Sequence, residues 1–122
     1  HLLAGNNVSG DECMGCHNGQ PLRARFAFGG TVYKDVAGAA PAGQGIEVLI
    51  VSATGQTIGK TYTDRDGNFW LAGNQNQITA GARVGVRNGV SSRNMGAPLA
   101  ANQGGCNAAG GCHTTNLRIY LP

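Results

Sequence analysis

A chain of 122 residues and 12.5 kDa has room for one domain with a single modest core. Its 21 glycines, 12% charged residues and short apolar runs favour β structure over helical bundles, and no apolar run reaches the ~18 residues of a membrane-spanning helix. The formal charge of +3 is dispersed over Arg23, Arg25, Arg65, Arg83, Arg87, Arg93 and Arg118, which excludes the clustered basic stripe that nucleic-acid binding needs.

In chain order, residues 1–25 read as an irregular polar segment. The sequence starts at His1 without a methionine or signal-like segment; the expected location, extracellular or periplasmic, implies a signal peptide already removed. Within this segment "DECMGCHNG" (11–19) holds the pattern Cys13-x-x-Cys16-His17. Residues 26–93 then alternate short β-type runs with turns. "FAFGGTVY" (26–33) reads as a strand interrupted by glycine, and "AGAAPAGQG" (37–45) as a loop, because Pro41 and the glycines cannot sustain a ladder. "GIEVLIVSA" (45–53) sets Ile46, Val48 and Ile50 on one face and Glu47, Leu49 and Val51 on the other, an apolar run that suits a central strand.

"TIGKTYT" (57–63) and "GNFWLA" (67–72) meet at "DRDG", which predicts a hairpin because Asp-Gly tolerates positive φ. "ARVGVR" (82–87) alternates, and Asn88-Gly89 marks another turn. Residues 94–122 are again irregular, rich in glycine and alanine, until "NLRIYLP" (116–122) closes the chain as an expected strand. Six or seven short strands with tight turns predict an all-β domain, a small β-sandwich flanked by irregular segments at both ends.

The stretch from "GGTVY" through "APAGQGIEVLIVSATGQTIGKTYTDRDGNFWL", about residues 29–72, resembles the carboxypeptidase-regulatory, transthyretin-like β-sandwich family. That family shows G-x-V, a small-residue loop, a V-x-V strand and T-x-x-D-G-x-F. The resemblance implies a scaffold with no chemistry of its own.

Chemistry is expected from the cysteines, which lie in two pairs near the termini with none between Cys16 and Cys106. A disulfide framework would staple the middle as well. Cys-x-x-Cys-His is the attachment pattern of c-type haem. One tight turn sets two thiols at the separation of the porphyrin vinyl groups, and the adjacent histidine falls beneath the iron as proximal ligand. A thioredoxin-like pair wants a βαβ context that is missing here. A zinc site built from Cys13, Cys16, Cys106 and Cys112 is a stereochemical alternative, but leaves unexplained the histidine after the second cysteine of each pair.

The second pattern, Cys106-Asn-Ala-Ala-Gly-Gly-Cys112-His113 in "GGCNAAGGCHTT" (104–115), stretches the first to five intervening residues. Thioether geometry constrains the sulfurs and not the loop between them, and the small residues let that loop bulge. A second haem is therefore expected, with His113 as proximal ligand. The alternative is a single haem, a Cys106–Cys112 disulfide and His113 as its distal ligand. Sandwich domains flanked by such motifs resemble modules of exported multihaem c-type cytochromes, in which the β-domain acts as spacer.

Distal iron ligands are scarce. Beyond His17 and His113 the chain offers His1, Met14 and Met95. Met14 lies inside the attachment loop. His1 is the expected distal ligand of one haem, and Met95, within "SSRNMGAP", of the other. A distal ligand taken from a neighbouring copy would make ligation itself the link of a homopolymer, and a head-to-tail contact that does not close produces a filament.

Other patterns fall short. "DRDGN" (64–68) imitates a calcium loop, yet its twelfth position is Gln75. Asn7-Val8-Ser9 is a chance-frequent sequon, and "GAAPAGQG" lacks the Lys and Ser/Thr of a phosphate loop. The sequence thus predicts an exported dihaem electron-transfer protein and not an enzyme, whose partners are redox proteins or extracellular electron acceptors. A reductase using an open haem position and a structural sandwich with a zinc clip are the competing classes.

Overall fold

The computed structural model describes residues 9–19, 23–107, 113 and 117–122. Six strands follow in chain order: β1 (Phe26–Thr31), β2 (Glu47–Val51), β3 (Thr57–Tyr62), β4 (Asn68–Ala72), β5 (Arg83–Arg87) and β6 (Ser92–Asn94), with a 3-10 turn at Gln75–Gln77. They build two antiparallel sheets, a small one of β1 and β4 and a larger one ordered β3-β2-β5-β6. The fold is all-β, as expected. Phe28, Val32 and Phe69 from the small sheet and its flank meet Val48, Ile50, Val84 and Val86 from the large sheet in one core.

β2 is the central strand its apolar pattern predicts, pairing β3 on one side and β5 on the other. Ile46, Val48 and Ile50 point into the core. On the opposite face Glu47 meets its two cross-strand neighbours, Arg87 at 2.7 Å and the Tyr62 hydroxyl at 3.2 Å. The Arg87 guanidinium, by hydrogen bond and by charge, holds the Glu47 carboxyl below the usual carboxylate range.

The turn at Asp64–Gly67 corrects one expectation, because it closes no hairpin. β3 belongs to the large sheet and β4 to the small one, so the turn carries the chain across the core. Its local chemistry is as read: Asp64 Oδ1 accepts the N–H groups of Asp66 and Asn68, each at 2.9 Å, and Gly67 takes φ +75°. The partner is chosen elsewhere. The Gly67 carbonyl accepts the Val32 N–H at 2.9 Å, delivering the chain to β1. The Asn88-Gly89 turn does join paired strands, β5 and β6. Met95 follows directly, its N–H donating to the Val84 carbonyl at 2.8 Å, so it extends an edge strand and does not sit on a flexible loop. The expected closing strand reduces to a single parallel bridge between Tyr33 and Tyr120.

β1 places both cysteine segments. Phe28, Gly30 and Val32 face the core, and Gly29 and Thr31 face outward. A bulge between Phe26 and Phe28 turns Phe26 outward as well, where its ring centroid lies 6.0 Å from that of Trp70. Along the edge of β1 that β4 leaves open, residues 104–106 run parallel: Gly29 N–H donates to Gly104 O at 2.9 Å and Cys106 N–H to Gly29 O at 3.0 Å.

Candidate functional site

The first cysteine pattern is a single helical turn. The His17 N–H donates to the Cys13 carbonyl at 3.1 Å, closing the five-residue motif on itself. Glu12 starts the turn: its carboxylate accepts the Met14 N–H at 2.7 Å and also the Gly15 N–H, satisfying donors that a helix start leaves open. The turn lies on the outer face of the small sheet. Cys13 packs over Gly29, where a Cβ would stand 3.4 Å from the Cys13 Cβ. His17 stacks on Phe26 with centroids 3.8 Å apart and planes 5° from parallel.

The His17 ring is fixed by a second contact. Its Nδ1 lies 2.7 Å from the Ala24 carbonyl oxygen. A carbonyl only accepts, so Nδ1 carries the hydrogen and Nε2 keeps the in-plane lone pair of a metal ligand. Cys13 is held as a thiol. Burial, then the charges of Glu12, Asp11 and Cys16, push its pKa up to about 11 from an ordinary 9.0. Cys16 is exposed, and Cys13 and Cys16 are not bridged to each other.

The second pattern falls on the other side of β1. Cys106 is buried in the core cluster, and a Cβ on Gly30 would stand 2.7 Å from its Cβ. Successive residues of a strand point to opposite faces, so the adjacent glycines receive Cys13 and Cys106 from opposite sides. His113 repeats the arrangement of His17: its Nδ1 lies 2.8 Å from the Leu117 carbonyl oxygen, again leaving Nε2 with the lone pair. That Nε2 is buried and has no hydrogen-bond partner among the described residues. His113 lines a shallow pocket together with Met95, Leu99 and Cys106. His17 lines a different, open pocket, with Phe26 and Arg25 in its wall.

One polar network ties the two segments together. Asn107 Nδ2 donates to the Asp11 carbonyl at 3.1 Å and to Thr31 Oγ1 at 3.2 Å. Thr31 Oγ1 also accepts the Gly10 N–H and donates to Asn68 Oδ1, both at 2.9 Å. Sequence reasoning missed Glu12, Thr31, Asn107 and Phe26. Only Glu12 had a local signal, an acidic residue one position before the turn.

His1 and Cys112 lie outside the described residues. Met14 is buried, and Met95 shares the cavity of His113. Among the described residues no three of Cys, His, Asp and Glu converge as a metal-binding group, and no helix is long and apolar enough to cross a membrane. No family model, curated protein or solved structure matches this chain.

Proposed function

We propose that this chain is a c-type cytochrome carrying two covalent haems and working in electron transfer outside the cytoplasm. Cys13 and Cys16 would hold one porphyrin and Cys106 and Cys112 the other, with His17 and His113 as proximal iron ligands. The observation that carries the reading is the repeated histidine geometry: each Cys-His imidazole gives Nδ1 to a backbone carbonyl, the arrangement that orients and strengthens a metal-ligating histidine.

The residues suit the group in other ways. The buried Nε2 of His113 has no partner among the described residues, and a buried polar atom without a partner costs about 1–3 kcal/mol. The two histidines line separate cavities, which supports two haems over one haem with His113 as its distal ligand. When bound, haem iron exchanges one electron between its ferrous and ferric states. The chain's own part is to fix the imidazole planes, hold the thiol pairs, and keep the two sites on one rigid strand. The transthyretin-like resemblance fits that scaffold role, and an irreversible cofactor bond fits an exported location, where lost haem is not replaced.

Intact mass under denaturing conditions tests the reading, because thioether-bound haem survives unfolding. Protein from a host with haem-attachment machinery should carry two haem increments. The Cys13→Ser/Cys16→Ser variant should lose one and the Cys106→Ser/Cys112→Ser variant the other. An unmodified mass with alkylatable thiols sinks the proposal, and one increment with a Cys106–Cys112 bridge selects the monohaem alternative.

A further inference from the structure

We infer that Met95 is the second axial ligand of the iron that His113 would hold, so that the two haem sites differ in ligation. The inference rests on the two-haem reading. Three residues with three separate tasks line one pocket: Cys106 for attachment, His113 for the proximal bond, and Met95 for the opposite side of the iron. Each is fixed from outside it. Cys106 is pinned by its N–H bond to Gly29 O at 3.0 Å and Met95 by its N–H bond to Val84 O at 2.8 Å. His113 is fixed by Nδ1 on the Leu117 carbonyl at 2.8 Å.

A methionine at a core margin is ordinarily filler, and Met95 does pack against the core cluster. It also lines the same pocket as His113, whose buried Nε2 has no hydrogen-bond partner among the described residues. A soft, neutral thioether paired with an imidazole is the donor set that favours ferrous iron and raises a haem's potential relative to two histidines. Met14, the other methionine, sits in the first turn with its N–H on Glu12, and does not line this cavity. The first site has no thioether in its cavity wall. The expected result is one haem of higher and one of lower potential within a single chain.

The test uses holoprotein whose haem number is counted by mass. The ferric wild-type protein should show the near-infrared sulfur-to-iron charge-transfer band. Met95→Leu should lose that band and turn one of the two haems high-spin. Met95→His should lose the band while both haems stay low-spin, and should shift one midpoint potential downward. If Met95→Leu fails to fold, the wild-type band and the Met95→His midpoint still decide. Two haem increments with no such band, or a band that persists in Met95→Leu, overturn this proposal alone. Fewer than two increments overturn it together with the reading beneath it.

Discussion

The two cysteine sites use the same strand and are built in opposite ways. The first is local: one turn of five residues, capped by Glu12 and laid on the solvent side of β1. The second is assembled from distant pieces, with Met95 just after β6, Leu99 held on the Ala82 carbonyl, Cys106 from the segment along β1, and His113 further on. A local motif needs only a turn to set its geometry. A stretched motif needs the fold, because five intervening residues no longer fix where the second cysteine lies relative to the first. The core supplies that constraint through Gly30, whose missing side chain is the space Cys106 occupies.

The comparison breaks most severely at Phe69. This ring is 1% exposed, lies 5.7 Å from Phe28 and closes around Gly30. Phe69→Ala should cost about 3–5 kcal/mol, read as a fall in the urea midpoint at unchanged slope. The damage should centre on the core-facing site, so Cys106 should become open to alkylation under conditions where the Cys13–His17 turn keeps its hydrogen bonds.

The thiols give the next largest contrast. In protein made without haem, Cys13 with its pKa near 11 should hold about a hundredfold less thiolate at pH 8 than a thiol of ordinary pKa. Timed iodoacetamide labelling with peptide mapping should therefore show exposed Cys16 reacting well before Cys13. Because folding raises the Cys13 value, the folded state binds more protons than the unfolded one between pH 9 and 11. Its contribution to stability is present below pH 9 and is lost as pH rises through that window. Equal labelling rates would mean that the turn does not shield Cys13.

How far the sequence disclosed these sites follows from the same division. Cys13, Cys16 and His17 were legible because their geometry lies within one turn. The all-β class, the central role of β2 and its inward face were legible because period-two patterning acts residue by residue. The Asp64–Gly67 turn misled for a physical reason: Asp and Gly fix a tight reversal but not which strand receives the chain, and here the Val32 N–H takes the Gly67 carbonyl, drawing the chain into the small sheet beside β1. The meeting of Met95 with His113, and of Asn107 with Asp11, depends on pairings between residues far apart in the chain. No short pattern encodes those.

The two glycines of β1 sharpen the contrast with a matched pair of substitutions. A Cβ on Gly30 would stand 2.7 Å from Cys106 Cβ and 2.9 Å from Phe69 Cζ, inside a packed core. Gly30→Ala should therefore destabilise by about 1–3 kcal/mol. A Cβ on Gly29 meets Cys13 Cβ at 3.4 Å, the Phe69 carbonyl oxygen at 3.5 Å and Cys13 Sγ at 3.7 Å, all at or near ordinary contact distance. There the overlap is slight, and removing glycine from a strand interior recovers about 0.5–1 kcal/mol, so Gly29→Ala should be close to neutral. Equal losses in thermal unfolding would mean that the two faces of β1 are packed alike.

The smallest effect belongs to Phe26, and it separates two ways of holding an imidazole. His17 has both a stacked ring and a hydrogen bond on Nδ1, whereas the ring contact has no counterpart at His113 among the described residues. Phe26→Leu keeps an apolar surface beneath His17 but removes the parallel ring, so the loss should be about 0.5–1.5 kcal/mol, the usual worth of an aromatic pair. The Ala24 carbonyl still fixes the tautomer, so nitrogen chemical shifts should continue to place the proton on Nδ1. What should change is the ring plane, seen in haem-loaded protein as altered anisotropy of one ferric haem signal, with the other unmoved. If both signals move, the faces of β1 are mechanically coupled through the strand. If neither moves, the hydrogen bond alone sets the plane of His17 and the stack contributes packing only.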